Sequence, residues 1–105
     1  MLANSVWQQY NQENNFREKI AEFCNLDVID LIEDDKELYG VMKAKLTKKE
    51  LRLFAMDSGN IGDEEIKTEF EFDNEELQKA KFKLYKKLKQ DKVRLSFRAG
   101  AIFEQ

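Results

Sequence analysis

No proline interrupts this sequence at any position, and only four glycines do. Proline and glycine are the strongest local breaks in a chain, so a sequence nearly free of them favours long stretches of helix. Before the C-terminal tail there is no sustained alternation of apolar and polar residues, which removes the usual sign of half-buried strands. An all-α fold follows, a small helical bundle. Its 105 residues allow a single domain, since a second one would lack a core of its own.

Composition narrows the chemistry. Hydrophobic residues make up 42% and charged residues 37%, enough for a packed core beneath a densely charged surface. The net charge of -3 excludes a uniformly basic nucleic-acid coat, although it permits a local basic face. No apolar run approaches the roughly 20 residues of a membrane-spanning helix, and the opening MLANSVWQQYNQENN lacks the basic flank and apolar stretch of a signal peptide. A cytoplasmic protein without membrane association is expected. With no histidine, the commonest general base and a common zinc ligand are missing. Cys24, the only cysteine, reads as a small buried apolar side chain beside Phe16, Ile20 and Phe23. No GxGxxG, P-loop or H-E-x-x-H pattern occurs. The acids Asp30, Glu33, Asp34, Asp35 and Glu37 lack the spacing of a calcium loop and read as a solvated helix end or turn. No enzyme, cofactor or metal site is expected.

Along the chain, a short helix fits Ser5 to about Tyr10, and the Asn/Gln-rich NQENN marks a break or frayed end. Phe16, Ile20 and Phe23 share one face of a second helix ending at Cys24, with Arg17, Glu18, Lys19 and Glu22 outward. Leu26, Val28, Ile29, Leu31 and Ile32 form the most apolar stretch, short enough for a buried helical turn. Leu38, Tyr39, Val41 and Met42 give a further helical face that must tolerate or break at Gly40. These N-terminal helices, within residues 1–45, would complete the core or build a homodimer interface around Trp7, Tyr10 and Phe16.

The strongest local signals follow, in a unit spanning residues 46–91. Thr47-Lys-Lys-Glu50 fits a capping box, with Leu51, Phe54 and Ala55 as the apolar face of the helix it opens. Asp57 to Asn60 is a stop signal, with Gly59 expected in the left-handed conformation. Gly62 or Asp63 then caps a short helix to about Phe70, whose acidic first turn suits the helix dipole. Asp73-Asn-Glu-Glu76 is a second capping box and opens a helix to about Gln90. Leu77, Ala80, Leu84 and Leu88 fall on one arc of that helix, opposite Lys79, Lys83, Lys86, Lys87 and Lys89. Leu51, Phe54, Ile66, Phe70, Leu77 and Leu84 are expected to share one core. From Asn74 to Arg98, nine Lys/Arg face three acids, a local charge of about +6 against about -9 for the rest. Phe82 projects from the basic arc, where it would either stack on a partner or fold under a neighbouring segment. In the tail, residues 92–105, Val93, Leu95 and Phe97 alternate with Arg94, Ser96 and Arg98, the pattern of a short strand or an extended arm.

Three short helices tightly joined, the last one basic, are the plan of a helix-turn-helix unit. From Leu46 to Leu88 the sequence resembles region 4 of bacterial sigma factors and the related LuxR-type DNA-binding domain. Leu46, Thr47, Lys49 and Glu50 match the family's opening, Gly59 its first turn, and Asp63, Glu64, Glu65 and Ile66 its second helix. Phe70 and Phe72 match the apolar closing positions, and Asp73, Leu77, Lys86, Lys87 and Leu88 the recognition helix. Lys67 stands where the family has an alanine, and Glu71 where it has a turn glycine. The resemblance implies a small transcription regulator that places the helix from Asp73 in DNA. Lys79, Lys83, Lys86 and Lys87, with Asn74, Gln78 and Phe82, would be its contacts. The acidic first turn of that helix leaves open a protein-binding module on the same plan, engaging RNA polymerase or another regulator.

Overall fold

The computed structural model describes residues 5–11 and 15–99. Seven helices are seen among them: α1 (Val6–Tyr10), α2 (Phe16–Cys24), α3 (Asp35–Lys45), α4 (Lys48–Ser58), α5 (Asp63–Phe70), α6 (Asn74–Lys89) and α7 (Asp91–Arg94). Two 3₁₀ turns, Val28–Asp30 and Leu95–Phe97, complete the element order. The fold is all-α, and no helix of the described residues is long and apolar enough to cross a membrane.

Side-chain caps fix the starts of α1, α3, α4 and α6. Both capping boxes form: Thr47 accepts from the Glu50 N–H while Glu50 accepts from the Thr47 N–H, and Asp73 and Glu76 do the same. Asp34 caps α3, so one member of the acidic run at 30–37 satisfies a backbone N–H at a helix start. Gly40 lies within α3 without ending it.

One buried cluster draws on nearly every element, from Trp7 through Leu77 to Phe97. Trp7 meets Phe16 edge-on, with ring centroids 5.0 Å apart, and lies 5.4 Å from Phe54. Trp7 and Phe16 are thus interior residues of one chain, and the N-terminal helices complete its core. Leu51, Phe54, Ile66, Leu77 and Leu84 are all buried together as expected, whereas Phe70 sits at the margin and stacks on Phe72. Cys24 is fully buried, and loss of hydration pushes its thiol up to about 12.

Four expectations need correction. The Val93–Phe97 segment is not a strand: α7 and a 3₁₀ turn occupy it, burying Val93 and Phe97 four residues apart on one face. The Val93 and Arg94 N–H groups close locally on the Gln90 carbonyl, while the Phe97 carbonyl accepts from the Ile32 N–H at 3.0 Å. The segment's only sheet-like contact among described residues is an antiparallel bridge between Leu31 and Arg98. Secondly, the helical turn in Leu26–Ile32 forms as the 3₁₀ turn Val28–Asp30 but is not buried: Ile29 is 90% exposed, and Leu31 is the residue of the stretch that is fully buried, with Leu26 and Ile32 packed at the core's edge. Thirdly, Gly59 has φ of -84°, and the left-handed residue is Asn60. Glycine is needed at 59 for another reason, since a Cβ there would lie 2.2 Å from the Tyr10 carbonyl oxygen. Lastly, NQENN, whose residues 12–14 lie outside the described ones, breaks the chain after α1 without fraying at Asn11: Asn11 is buried, and its amide donates to the carbonyls of Trp7 and Ala55, tying α1 to α4.

Two arginines fasten the ends of α2. Arg17 donates to the Ile32 and Glu33 carbonyls and pairs with Asp35 at 2.9 Å. Arg94 donates to the carbonyls of Cys24 and Asn25 at the helix C-terminus, which ties α7 to α2; the rest of the expected arm, residues 100–105, lies outside the described residues.

Candidate nucleic-acid interface

The candidate interface is α6 together with the turn that aims it. That turn closes tightly: the Phe72 N–H reaches the Lys67 carbonyl at 2.9 Å, and Glu71 takes the left-handed conformation at φ 57°. The backbone there adopts a conformation natural to glycine although the side chain is glutamate, at a cost of about 1 kcal/mol. Lys67, in place of the family alanine, is accommodated by lying along the surface with its ammonium 2.9 Å from Glu64.

Leu77, Leu84 and Leu88 anchor α6 in the core, each fully buried. That row fixes the rotation of the helix and sends Gln78, Lys79, Phe82, Lys83 and Lys86 outward. Phe82 remains 67% exposed, with the Lys86 ammonium 5.9 Å from its ring centroid. Lys79 touches Glu75 at 3.3 Å, but both side chains are about three-quarters exposed, so the pair is weak and readily exchanged for another anion. Asn74 is exposed in the first turn.

Lys87 is placed differently from the other expected contacts. Its ammonium lies 2.9 Å from Glu50 Oε1, the same oxygen that closes the first capping box. Burial of Glu50 by itself would raise its pKa, but hydrogen bonds from the Thr47 N–H and from Lys87 outweigh it and lower the value. Lys87 therefore joins α6 to the start of α4 and stands apart from the outward row.

Lys81 is the residue that a count of basic side chains misreads. It lies 3.3 Å from Asp57 at the end of α4 and 2.9 Å from Asp63 at the start of α5, and its side chain is 19% exposed. Burial alone would lower its pKa, yet the two carboxylates raise it. Asp57 also accepts from the Tyr85 hydroxyl, and the Tyr85 ring stacks on Phe23 at 4.9 Å. Burial comes first, and the Asp57 carboxylate second, in raising the Tyr85 pKa. The spacing carried a signal for this: Lys81 is four residues after Leu77 and three before Leu84, on the packed side.

Around the start of α6 the surface is acidic. Glu64, Glu65, Glu71, Asp73, Glu75 and Glu76 are all exposed. No group of three or more histidine, cysteine or acidic residues among the described residues is arranged to hold a metal ion. A separate polar cleft lies between the end of α1 and the α4–α5 turn, lined by Gln9, Tyr10, Asn11, Asn15 and Ser58 to Ile61. Sequence reading did not find it, because its walls come from segments more than forty residues apart.

Comparison with protein-family models, with curated proteins and with solved structures yields no significant match to this chain.

Proposed function

We propose that the protein is a small helix-turn-helix DNA-binding regulator of the sigma region 4 or LuxR kind, with α6 as its recognition helix. The observation that carries this reading is the joint placement of Lys79, Lys83, Lys86 and Phe82 on the exposed side of the helix that follows the tight Glu71 turn. Ammonium groups in this array suit phosphate oxygens, and each contact releases a condensed cation from the duplex. The acidic first turn disfavours an end-on entry, so α6 lies along the groove with its outward side toward the bases while its lysines meet the backbone.

A titration of duplex DNA at several salt concentrations tests this. Changing Lys79, Lys83 and Lys86 together to Gln is expected to weaken binding to all sequences and to flatten log K against log salt by up to about three units. A slope unchanged by the triple variant would reject α6 as the contact surface. The exposed acids on α5 and the first turn of α6 favour a second reading, a protein-binding module that presents this patch to RNA polymerase or another regulator. Purified RNA polymerase in the same titration separates the two, and binding of polymerase without duplex would replace the first reading by the second.

A further inference from the structure

The outward side of α6 carries more than charge. Asn74, Gln78 and Phe82 are spaced four residues apart and are all exposed. Steps of four advance the helix by only 40° each, so the three side chains form one slanted row. The row spans about 12 Å, the length of three to four base pairs. Lys79, Lys83 and Lys86 run along one side of it. Toward the core it is bounded by Lys81 and Tyr85, both engaged with Asp57.

Resting on the DNA-binding reading above, we propose that this neutral row selects A·T base pairs in the major groove. Asparagine and glutamine amides pair in two-pronged fashion with adenine N6 and N7, and a phenylalanine edge packs on the thymine methyl. Those are the three side chains present. Arginine, the commonest reader of guanine, is absent from α6. The lysines flanking the row are held by phosphates and leave the base edges to it. Glu75 adjoins Asn74 in sequence and lies 3.3 Å from Lys79, an exposed contact that a phosphate on Lys79 would replace. A carboxylate that read bases would instead accept from cytosine N4 and favour G·C pairs.

Three duplexes of about 20 base pairs serve as probes at low salt: one of A·T pairs, one of G·C pairs, and the A·T duplex with uracil replacing thymine. The A·T duplex is expected to bind about tenfold tighter than the G·C duplex. Uracil, which lacks only the methyl group, should weaken it about fourfold. Phe82→Ala should abolish the thymine-over-uracil difference while leaving the salt slope intact, and Gln78→Ala should narrow the A·T preference. Both positions are exposed on a helix, where alanine is well tolerated, so folding is not at stake.

If no duplex binds, the DNA-binding reading fails and the base preference fails with it. If duplexes bind with equal affinity, or bind G·C more tightly, DNA binding stands and the base-reading row is overturned. A preference for A·T that is insensitive to uracil and survives both variants would point to groove width as the source, and would likewise overturn the row.

Discussion

The inner flank and the outer face of α6 carry lysines of identical chemistry in opposite circumstances. On the inner flank Lys81 bridges Asp57 and Asp63 with its side chain 19% exposed, while on the outer face Lys79 keeps 74% exposure beside a single carboxylate. One lysine fastens three helices together, and the other is available to a ligand. A local charge of +6 therefore overstates the free charge, because Lys81 and Lys87 are already matched by acids of α4 and α5. Rotation of the helix, set by its buried leucines, decides which lysines belong to which group.

Breaking that rotation should have the largest effect. Leu77 is fully buried, and Leu77→Ala is expected to cost about 2–5 kcal/mol, measured by denaturant unfolding. A loss below about 0.5 kcal/mol would mean that a different arc of α6 faces the core, and the division into flanks would collapse with it.

Next in size is the inner flank itself. Lys81→Met removes two carboxylate contacts and leaves Asp57 and Asp63 near each other, for an expected loss of about 1–2 kcal/mol. Chemical denaturation at neutral pH measures it, and a neutral effect would place Lys81 among the outward lysines.

A pH series sharpens the comparison at the other flank. The pKa of Glu50 is lowered in the folded chain, so its contribution is present above the ordinary value of 4.5 and disappears as pH falls through the lowered one. At neutral pH, Glu50→Gln should cost about 1 kcal/mol through the weakened capping box and the loss of the Lys87 pair. The gap between variant and wild type should close on acidification below the lowered value. A gap that stays constant across that window would show that the charge on Glu50 is irrelevant to the contact.

The smallest stability effect belongs to the outer face. Changing Lys79, Lys83 and Lys86 together to Gln should shift stability by less than about 0.5 kcal/mol while removing the salt-dependent binding described above. A substantial destabilisation would mean that these lysines hold the fold, as Lys81 does.

Legibility in the sequence followed the range of the interactions. The two capping boxes and the leucine arc of α6 are relations among residues three or four apart, and all of them were readable directly. The same arc put Phe82 on the outer side but left open whether it stays exposed or folds under a neighbouring segment, which the packing decides. Misreadings fell where the deciding partner was distant. The alternation of Val93, Leu95 and Phe97 is equally compatible with an i, i+4 helical face, and the core that takes up Val93 and Phe97 together selected the helix. Gly59 was attributed to a left-handed turn, whereas the close passage of Tyr10 requires it.

Sequence alone determined the helical class, the starts of α4 and α6 and the apolar stripe of each, because capping and amphipathic spacing are satisfied within one or two turns of chain. Only the tertiary structure decided which basic side chains are spent inside the molecule. The contacts of Lys81 with Asp63 and of Lys87 with Glu50 join residues 18 and 37 positions apart, and that of Asn11 with Ala55 spans 44. Such pairs exist only after the buried leucines and aromatics have fixed how the helices sit against one another; local spacing puts Lys81 on the packed side of α6 but does not say which acids meet it there.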